Sequence, residues 1–96
     1  MNTNLYFFII NFIYIILRAL QVPCEMREIY EGYQLLFPWC EGDIAMHDGT
    51  YGAKAGDVES YCFPWDEGDV TQLRPEEAAR KIITYYEEVQ ANTEGD

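Results

Sequence analysis

The chain of 96 residues is long enough for one domain at most, since typical domains run to about 100–150 residues. It carries 17 acidic and six basic residues, which gives a net charge of −11. A surface of this sign repels nucleic-acid phosphates and anionic lipid headgroups, so direct binding to either is disfavoured. The same charge attracts basic protein surfaces, or serves only to keep the protein in solution.

The first 24 residues differ in composition from the rest of the chain. All acidic residues lie at or after Glu25, whereas the stretch from Leu5 to Leu17 is almost entirely apolar. We therefore divide the chain into an apolar leader, residues 1–24, and a small acidic α+β domain, residues 25–96.

Two interpretations of the leader stay open. As a helix, residues 5–20 would span about 24 Å, less than the ~30 Å hydrocarbon core, so local thinning of the bilayer or snorkelling of Arg18 would have to close the gap. A single-span anchor of this kind would keep the acidic domain in the cytosol. Alternatively, the leader is an over-extended start and the domain opens at Met26. A cleaved signal peptide is disfavoured, because the first four residues contain no Lys or Arg.

The domain begins with residues of high β-propensity. Residues 27–37 are predicted to form one strand that ends before Pro38. Asp48-Gly49 is a hairpin signal, with short flanking strands expected at residues 44–46 and 50–51. Residues 58–65 are predicted to form the next strand, which also ends at a Pro-Trp pair.

A helix is predicted from Pro75 onward. Glu76 and Glu77 suit its positive dipole end, and Ala78, Ala79, Ile82, Ile83, Tyr86 and Val89 recur at helical spacing. This apolar stripe needs a sheet face to cover it. The expected fold class is therefore α+β: a two-layer β-β-α domain, with an antiparallel sheet covered by one C-terminal helix.

No catalytic or metal-binding pattern is present in the sequence. Cys24, Cys40 and Cys62 form no CxxC pair and leave at least one thiol unpaired, which favours a reducing, cytoplasmic setting. With His47 they lack the closely spaced ligand pairs of a structural zinc site, so we expect no metal and no cofactor. Ser60 is the single serine and falls within a predicted strand, which does not suit a nucleophile. We expect a protein without enzymatic activity.

An eight-residue segment occurs twice, at residues 37–44 and 63–70, with six identical positions. In one interpretation each copy only ends a strand, with Phe turned inward and Gly-Asp turning the chain. In the other, each copy presents a Trp ring beside carboxylates, which suits a grip on Arg or Lys. The partner-binding residues predicted on that basis are Trp39, Glu41, Asp43, Trp65, Asp66, Glu67 and Asp69.

A Tyr-x-Gly-Tyr-x-Leu strand beginning at Tyr30, a hairpin, and the segment Pro-Glu-Glu-Ala-Ala-Arg-Lys-Ile beginning at Pro75 follow one another between Arg27 and Gln90. This order resembles small acidic accessory proteins of bacteriophages and mobile elements. Some members of that group, notably anti-CRISPR proteins, block nucleic-acid-binding enzymes by occupying their basic grooves. The resemblance implies an inhibitor that acts by protein–protein contact, and it assigns no role to any single residue.

The sequence thus predicts a non-enzymatic accessory or inhibitor protein that binds a basic surface of a nucleic-acid-handling protein. Two alternatives stay open: a small single-span membrane protein with a cytosolic acidic domain, and an antitoxin that neutralises a basic toxin. The expected location is the cytoplasm, or the membrane through residues 5–20 if the leader inserts.

Overall fold

The computed structural model of the protein describes residues 3–49 and 56–94. Over these ranges the chain forms two helices and five short strands. In chain order the elements are α1 (Thr3–Ala19), β1 (Glu25–Ile29), β2 (Gly32–Leu36), β3 (Asp43–His47), β4 (Val58–Tyr61), β5 (Thr71–Leu73) and α2 (Pro75–Glu94).

The five strands form one antiparallel sheet in which each strand pairs with the next along the chain. Because successive strands reverse direction, the β2–β3 and β4–β5 loops leave the sheet at the same end, where β1 also begins. We call this the loop end. The two copies of the repeated segment are these two loops, together with the strand residues that follow the first.

Both helices pack on the sheet around one core. α1 contacts β1, β2 and β3, α2 contacts β4, and the two helices contact each other. The large aliphatic side chains with no exposed surface come from all of these layers: Ile10, Ile13, Leu17, Leu35, Ile44, Val58 and Ile82. Burial of each of these side chains stabilises the fold by about 1.5–3 kcal/mol. The change in composition near Pro23 therefore does not coincide with a gap in the core.

The end of α1 fixes how the chain enters the sheet. Gln21 has a left-handed backbone with φ of 61°, and the amide of Val22 donates to the Leu17 carbonyl at 2.9 Å. The amide of Gln21 donates to the Arg18 carbonyl at 3.1 Å, which completes a Schellman motif. Val22 and Leu17 hold the two positions whose side chains usually meet in this motif, and both are buried in the core.

The first predicted strand is wrong in its extent. Residues 27–37 form parts of two strands, joined at Tyr30 and Glu31, because Ile29 pairs with Gly32. Glu31 takes a left-handed φ of 58° without being glycine. Gly32 cannot be replaced, because a Cβ there would overlap the carbonyl oxygen of Met46 on the neighbouring strand.

Other elements differ in their bounds. β3 contains the predicted 44–46 strand, whereas residues 50–51 lie outside the described residues. β4 ends at Tyr61 rather than at Trp65, because Cys62 adopts a left-handed φ of 64° that breaks the extended backbone. The short strand β5 was not predicted.

The α+β class, the antiparallel sheet and the C-terminal helix from Pro75 are confirmed. The description as a β-β-α domain is incomplete, because α1 joins α2 in the helical layer and because the sheet has five strands. Among residues 3–49 and 56–94, no helix combines the length and the apolar character needed to cross a membrane.

Candidate functional site

The two loops at the loop end begin with the same turn. In the first, the Cys40 amide donates to the Phe37 carbonyl at 3.4 Å; in the second, the Asp66 amide donates to the Phe63 carbonyl at 3.0 Å. Each turn has proline at its second position, where the fixed φ of proline is favourable. The repeated sequence thus encodes a repeated backbone shape.

The rings of both loops meet α2 in one aromatic cluster, which consists of Phe37, Trp39, Phe63, Trp65, Tyr85 and Tyr86. Phe37 and Phe63 are each only 4% exposed and meet edge to face, with ring centroids 5.9 Å apart. Tyr85 contacts Phe63 at 6.0 Å. Because the loops share these rings, they are held in fixed positions relative to each other.

The two tryptophans are partly buried and have structural partners. The indole N–H of Trp39 donates to the Pro23 carbonyl at 2.8 Å, which ties the first loop to the connection between α1 and β1. Trp65 stacks on Phe63 with centroids 4.5 Å apart, and its N–H donates to the Ser60 hydroxyl at 3.1 Å. Both tryptophan rings are therefore engaged in contacts within the chain.

A cation already occupies the outer face of Trp65. The ammonium nitrogen of Lys81 on α2 lies 5.5 Å from the ring centroid, within cation–π range. The adjoining cleft, of about 300 Å³, is lined by Pro64, Trp65, Arg80, Lys81, Thr84, Tyr85 and Glu88. The cation–π contact that the sequence predicts with a partner is therefore made within the chain at this ring.

Two of the predicted carboxylates have hydrogen-bond partners within the chain. Asp66 accepts hydrogen bonds from the Ser60 hydroxyl at 2.5 Å and from the Phe63 amide at 2.8 Å. Asp43 accepts from the side-chain amide of Gln34 at 2.7 Å. Burial raises the pKa of Asp43 above its ordinary value of 3.8; the Gln34 hydrogen bond and the charge of Arg27 oppose the rise, and the charge of Asp66 adds to it.

The remaining three predicted carboxylates face solvent. Glu41 lies on the first loop, and Glu67 and Asp69 on the second, all three exposed. We call these three residues the acidic end. A shallow cleft of about 480 Å³ beside the two carboxylates of the second loop is lined by Tyr61, Glu67, Asp69 and Val70. In the described part of the chain, no Lys or Arg lies within ion-pair distance of the acidic end.

The identical glycines of the two loops have different roles. A Cβ at Gly42 would lie 2.5 Å from the ring of Phe63, so only glycine allows the first loop to pack against the second. Gly68 instead has a left-handed φ of 76°, and the space beside it is open. The first glycine is required by packing and the second by backbone conformation.

A polar cluster on β3 and β4 was not predicted from the sequence. Glu59 has no exposed surface, lies 3.0 Å from Nε2 of His47, and accepts a hydrogen bond from the Tyr61 hydroxyl. The Gly49 amide donates to Nδ1 of His47 at 3.1 Å, which leaves Nε2 as the ring nitrogen that faces Glu59. The signal in the sequence is the alternation Val58-Glu59-Ser60-Tyr61, but it does not say which face is buried.

The same sheet face carries a row of side chains in register across all five strands: Arg27, Gln34, Ala45, Glu59 and Gln72. Arg27 donates to the Gln34 side-chain carbonyl at 2.7 Å, and Gln34 in turn donates to Asp43. These contacts join neighbouring strands. Among the described residues, no group of three or more His, Cys, Asp or Glu side chains is arranged to hold a metal ion.

Comparison with protein-family models, with curated proteins and with solved structures gives no match to this chain.

Proposed function

We propose that this protein is a non-enzymatic binding protein whose acidic end docks on a basic surface of another protein. The observation that carries the proposal is that Glu41, Glu67 and Asp69 are exposed and lie on two loops fixed by one aromatic cluster. Carboxylates on fixed loops lose little conformational freedom on binding, so charge complementarity is converted efficiently into affinity.

The partner class follows from the sign of the charge. A basic groove that holds nucleic acid presents closely spaced Arg and Lys, which carboxylates pair with through charge-assisted hydrogen bonds. The protein would occupy the groove and exclude the nucleic acid, as the anti-CRISPR resemblance implies. A basic toxin offers the same kind of surface, so a role as an antitoxin-type neutraliser belongs to the same proposal.

The contact residues are fewer than the repeated segment predicts. Asp66 is used to hold the second turn, and Trp39 and Trp65 are used in the aromatic cluster. Charge reversal at Asp66 would therefore disturb the fold as well as any binding. Glu67 and Asp69 are the sharper test, since both are exposed and, among residues 3–49 and 56–94, neither side chain makes a hydrogen bond to the loop.

The test is a pull-down from nuclease-treated cytoplasmic extract, using the full chain as bait. We expect a basic protein to be recovered at about 0.1 M ionic strength and lost near 1 M, because the Debye length falls from about 10 Å to about 3 Å. The variant Glu67→Lys/Asp69→Lys should lose it. A polyanion such as heparin should compete, because it binds the same basic groove.

The matched control is Glu28→Lys/Glu31→Lys, which makes the same change of charge at the end of the sheet opposite to the acidic end. This control should recover the partner at close to wild-type levels. Equal loss in both variants would show that net charge, rather than the acidic end, governs binding. Recovery that does not depend on salt would contradict the proposal.

A further inference from the structure

The outward face of α1 carries an exposed apolar stripe, which consists of Leu5, Phe8, Phe12 and Ile15. Their side chains are 41%, 67%, 54% and 57% exposed, respectively. Single exposed apolar residues are ordinary on a protein surface, but four on one helical face form a continuous patch. The proposed binding function does not use this patch.

The spacing of the stripe is that of a helix–helix seam. Residues 5, 8, 12 and 15 alternate steps of three and four, which is the a/d pattern of a heptad repeat. The opposite face of α1, with Ile10, Ile13 and Leu17, is fully buried on the sheet and α2. Both faces of α1 are therefore apolar, and the described part of the chain covers only one of them.

The exposed area is large enough to matter. A fully exposed large apolar side chain presents about 150–250 Å², so the stripe exposes roughly 400 Å². Two stripes facing each other would bury roughly 800 Å², and flanking residues would bring the total to the ~1,000 Å² that a specific interface needs.

A groove beside the stripe provides a place for side chains from a second helix. It lies between α1 and α2, has a volume of about 290 Å³, and is lined by Phe12, Ile16, Glu76, Ala79, Arg80, Ile83 and Thr84. Its centre is apolar, and the exposed Glu76 and Arg80 stand at its edge. An apolar centre with a charged rim is the usual anatomy of a protein–protein interface.

We propose that this surface is the interface of a two-fold symmetric dimer, in which α1 of one copy packs against α1 of a second. The charge distribution favours this occupant. The stretch Thr3–Ala19 contains no acidic residue and one basic residue, Arg18, so two copies meet where their mutual repulsion is smallest. A two-fold axis makes the surface complementary to itself.

A lipid surface suits the stripe less well. Helices that lie in a membrane interface usually carry several Lys or Arg on their polar face, whereas α1 carries Arg18 alone. The acidic remainder of the chain would also be repelled by anionic headgroups. In the dimer, by contrast, the stripe is buried and the acidic end of each copy stays exposed.

The experiment is light scattering coupled to gel filtration on the full chain, over a range of concentrations. The wild type should have twice the mass of one chain, and Phe8→Glu and Phe12→Glu should each halve it. Both side chains are more than half exposed, so these changes leave the core intact. Tyr30→Glu is the matched control: Tyr30 is 87% exposed but lies in the β1–β2 turn, and this variant should stay dimeric.

If a charged variant unfolds, two further measurements still test whether the protein forms the dimer. The thermal midpoint of the wild type should rise with protein concentration, because the folded state is linked to association. A concentration-independent midpoint, or a wild type that is monomeric throughout, would overturn the proposal. So would flotation of a monomeric chain with phosphatidylcholine vesicles, which would assign the stripe to a lipid surface instead.

Discussion

The two loops of the loop end have almost the same sequence and adopt the same turn, yet they contribute differently to the molecule. The first loop is enclosed: its Gly42 lies against Phe63, and its Trp39 is bonded to Pro23. The second loop is more open: the space beside Gly68 is empty, and Trp65 borders a cleft in which Lys81 lies 5.5 Å from its ring centroid.

This difference shows what a short repeated segment encodes. Phe, Pro and Trp at fixed spacing determine the turn and the inward ring, which are local properties. How deeply each loop is buried depends on which residues from the rest of the chain pack against it. The one interior mismatch between the copies has a local effect: Asp66 stands where the first copy has Cys40, and its carboxylate accepts a hydrogen bond from the Phe63 amide of its own turn.

The largest effect on stability should come from removing α1. In a chain that begins at Met26, the three fully buried side chains Ile10, Ile13 and Leu17 are lost, at about 1.5–3 kcal/mol each. That sum is comparable with the whole stability of a small domain, about 5–15 kcal/mol. We expect the shorter chain to show no cooperative thermal transition by circular dichroism, whereas the full chain shows one.

The first loop also loses the Pro23 carbonyl that Trp39 bonds to in the full chain. Trp39 fluorescence should therefore shift to longer wavelength in the shorter chain, as the indole becomes hydrated. A shorter chain that folds with unchanged stability would mean that α1 contributes nothing to the core, and the interpretation of one core would fail.

A glycine pair provides the next and sharper comparison. Gly42→Ala places a Cβ 2.5 Å from the ring of Phe63, so the two loops must move apart; overpacking of this kind costs about 1–3 kcal/mol. Gly68→Ala meets no neighbour and carries only the penalty of a left-handed backbone, about 1–2 kcal/mol. Urea denaturation of the two variants measures the difference.

Phe63 provides the control for this pair. In a Phe63→Leu background the clash at Gly42 should be partly relieved, whereas the penalty at Gly68 should be unchanged. A cost of Gly42→Ala that is the same in the Phe63→Leu background as in the wild type would show that the loops are not in contact through Gly42.

Part of the fold could be predicted from the sequence. Pro75, the acidic first turn and the apolar stripe of α2 are local signals, and the structure confirms the helix. The turn at Tyr30 and Glu31 gives no such signal, because Glu31 adopts a left-handed backbone that glycine or asparagine usually occupies. Gly32 consequently looks like the middle of a strand rather than its first residue.

The position of α1 could not be predicted for a different reason. A short apolar helix has the same sequence character whether it faces lipid, a sheet or another helix, so the break in composition near Pro23 suggests a boundary. The burial of Ile10 and Leu17 against the sheet arises from tertiary packing, which the local sequence does not show. The exposed stripe of the same helix becomes visible only once the buried face is known.

The turns of the candidate site are encoded in the repeated segment, but the orientation of its side chains is not. Both copies form the same turn, and both carry carboxylates and a tryptophan. The strand register decides that Asp43 faces Gln34 and that Asp66 turns back to Ser60, and register is not readable from the segment alone. What remains exposed, Glu41, Glu67 and Asp69, is the part that the fold does not use.

The smallest effect on stability should come from neutralising Asp43, and its size should depend on pH. Burial raises the pKa of Asp43 in the folded state, so its contribution to stability is fully present below the ordinary value of 3.8 and is lost as pH rises through the raised folded value. At neutral pH the ionised carboxylate therefore weakens the fold. Asp43→Asn keeps an oxygen for the Gln34 amide and removes the charge, so we expect a gain of up to about 0.5 kcal/mol at pH 7.

Asp69 occupies the matching position of the second copy and is exposed, so Asp69→Asn is the paired control. Thermal midpoints of both variants and the wild type, measured from pH 3 to pH 8 in about 0.1 M salt, report the comparison. The advantage of Asp43→Asn over the wild type should grow as pH rises and vanish at the acid end, and that of Asp69→Asn should be smaller throughout. A loss of stability in Asp43→Asn at pH 7 would mean that the ionised carboxylate holds the first loop in place, which would make the two loops more alike than their contacts indicate.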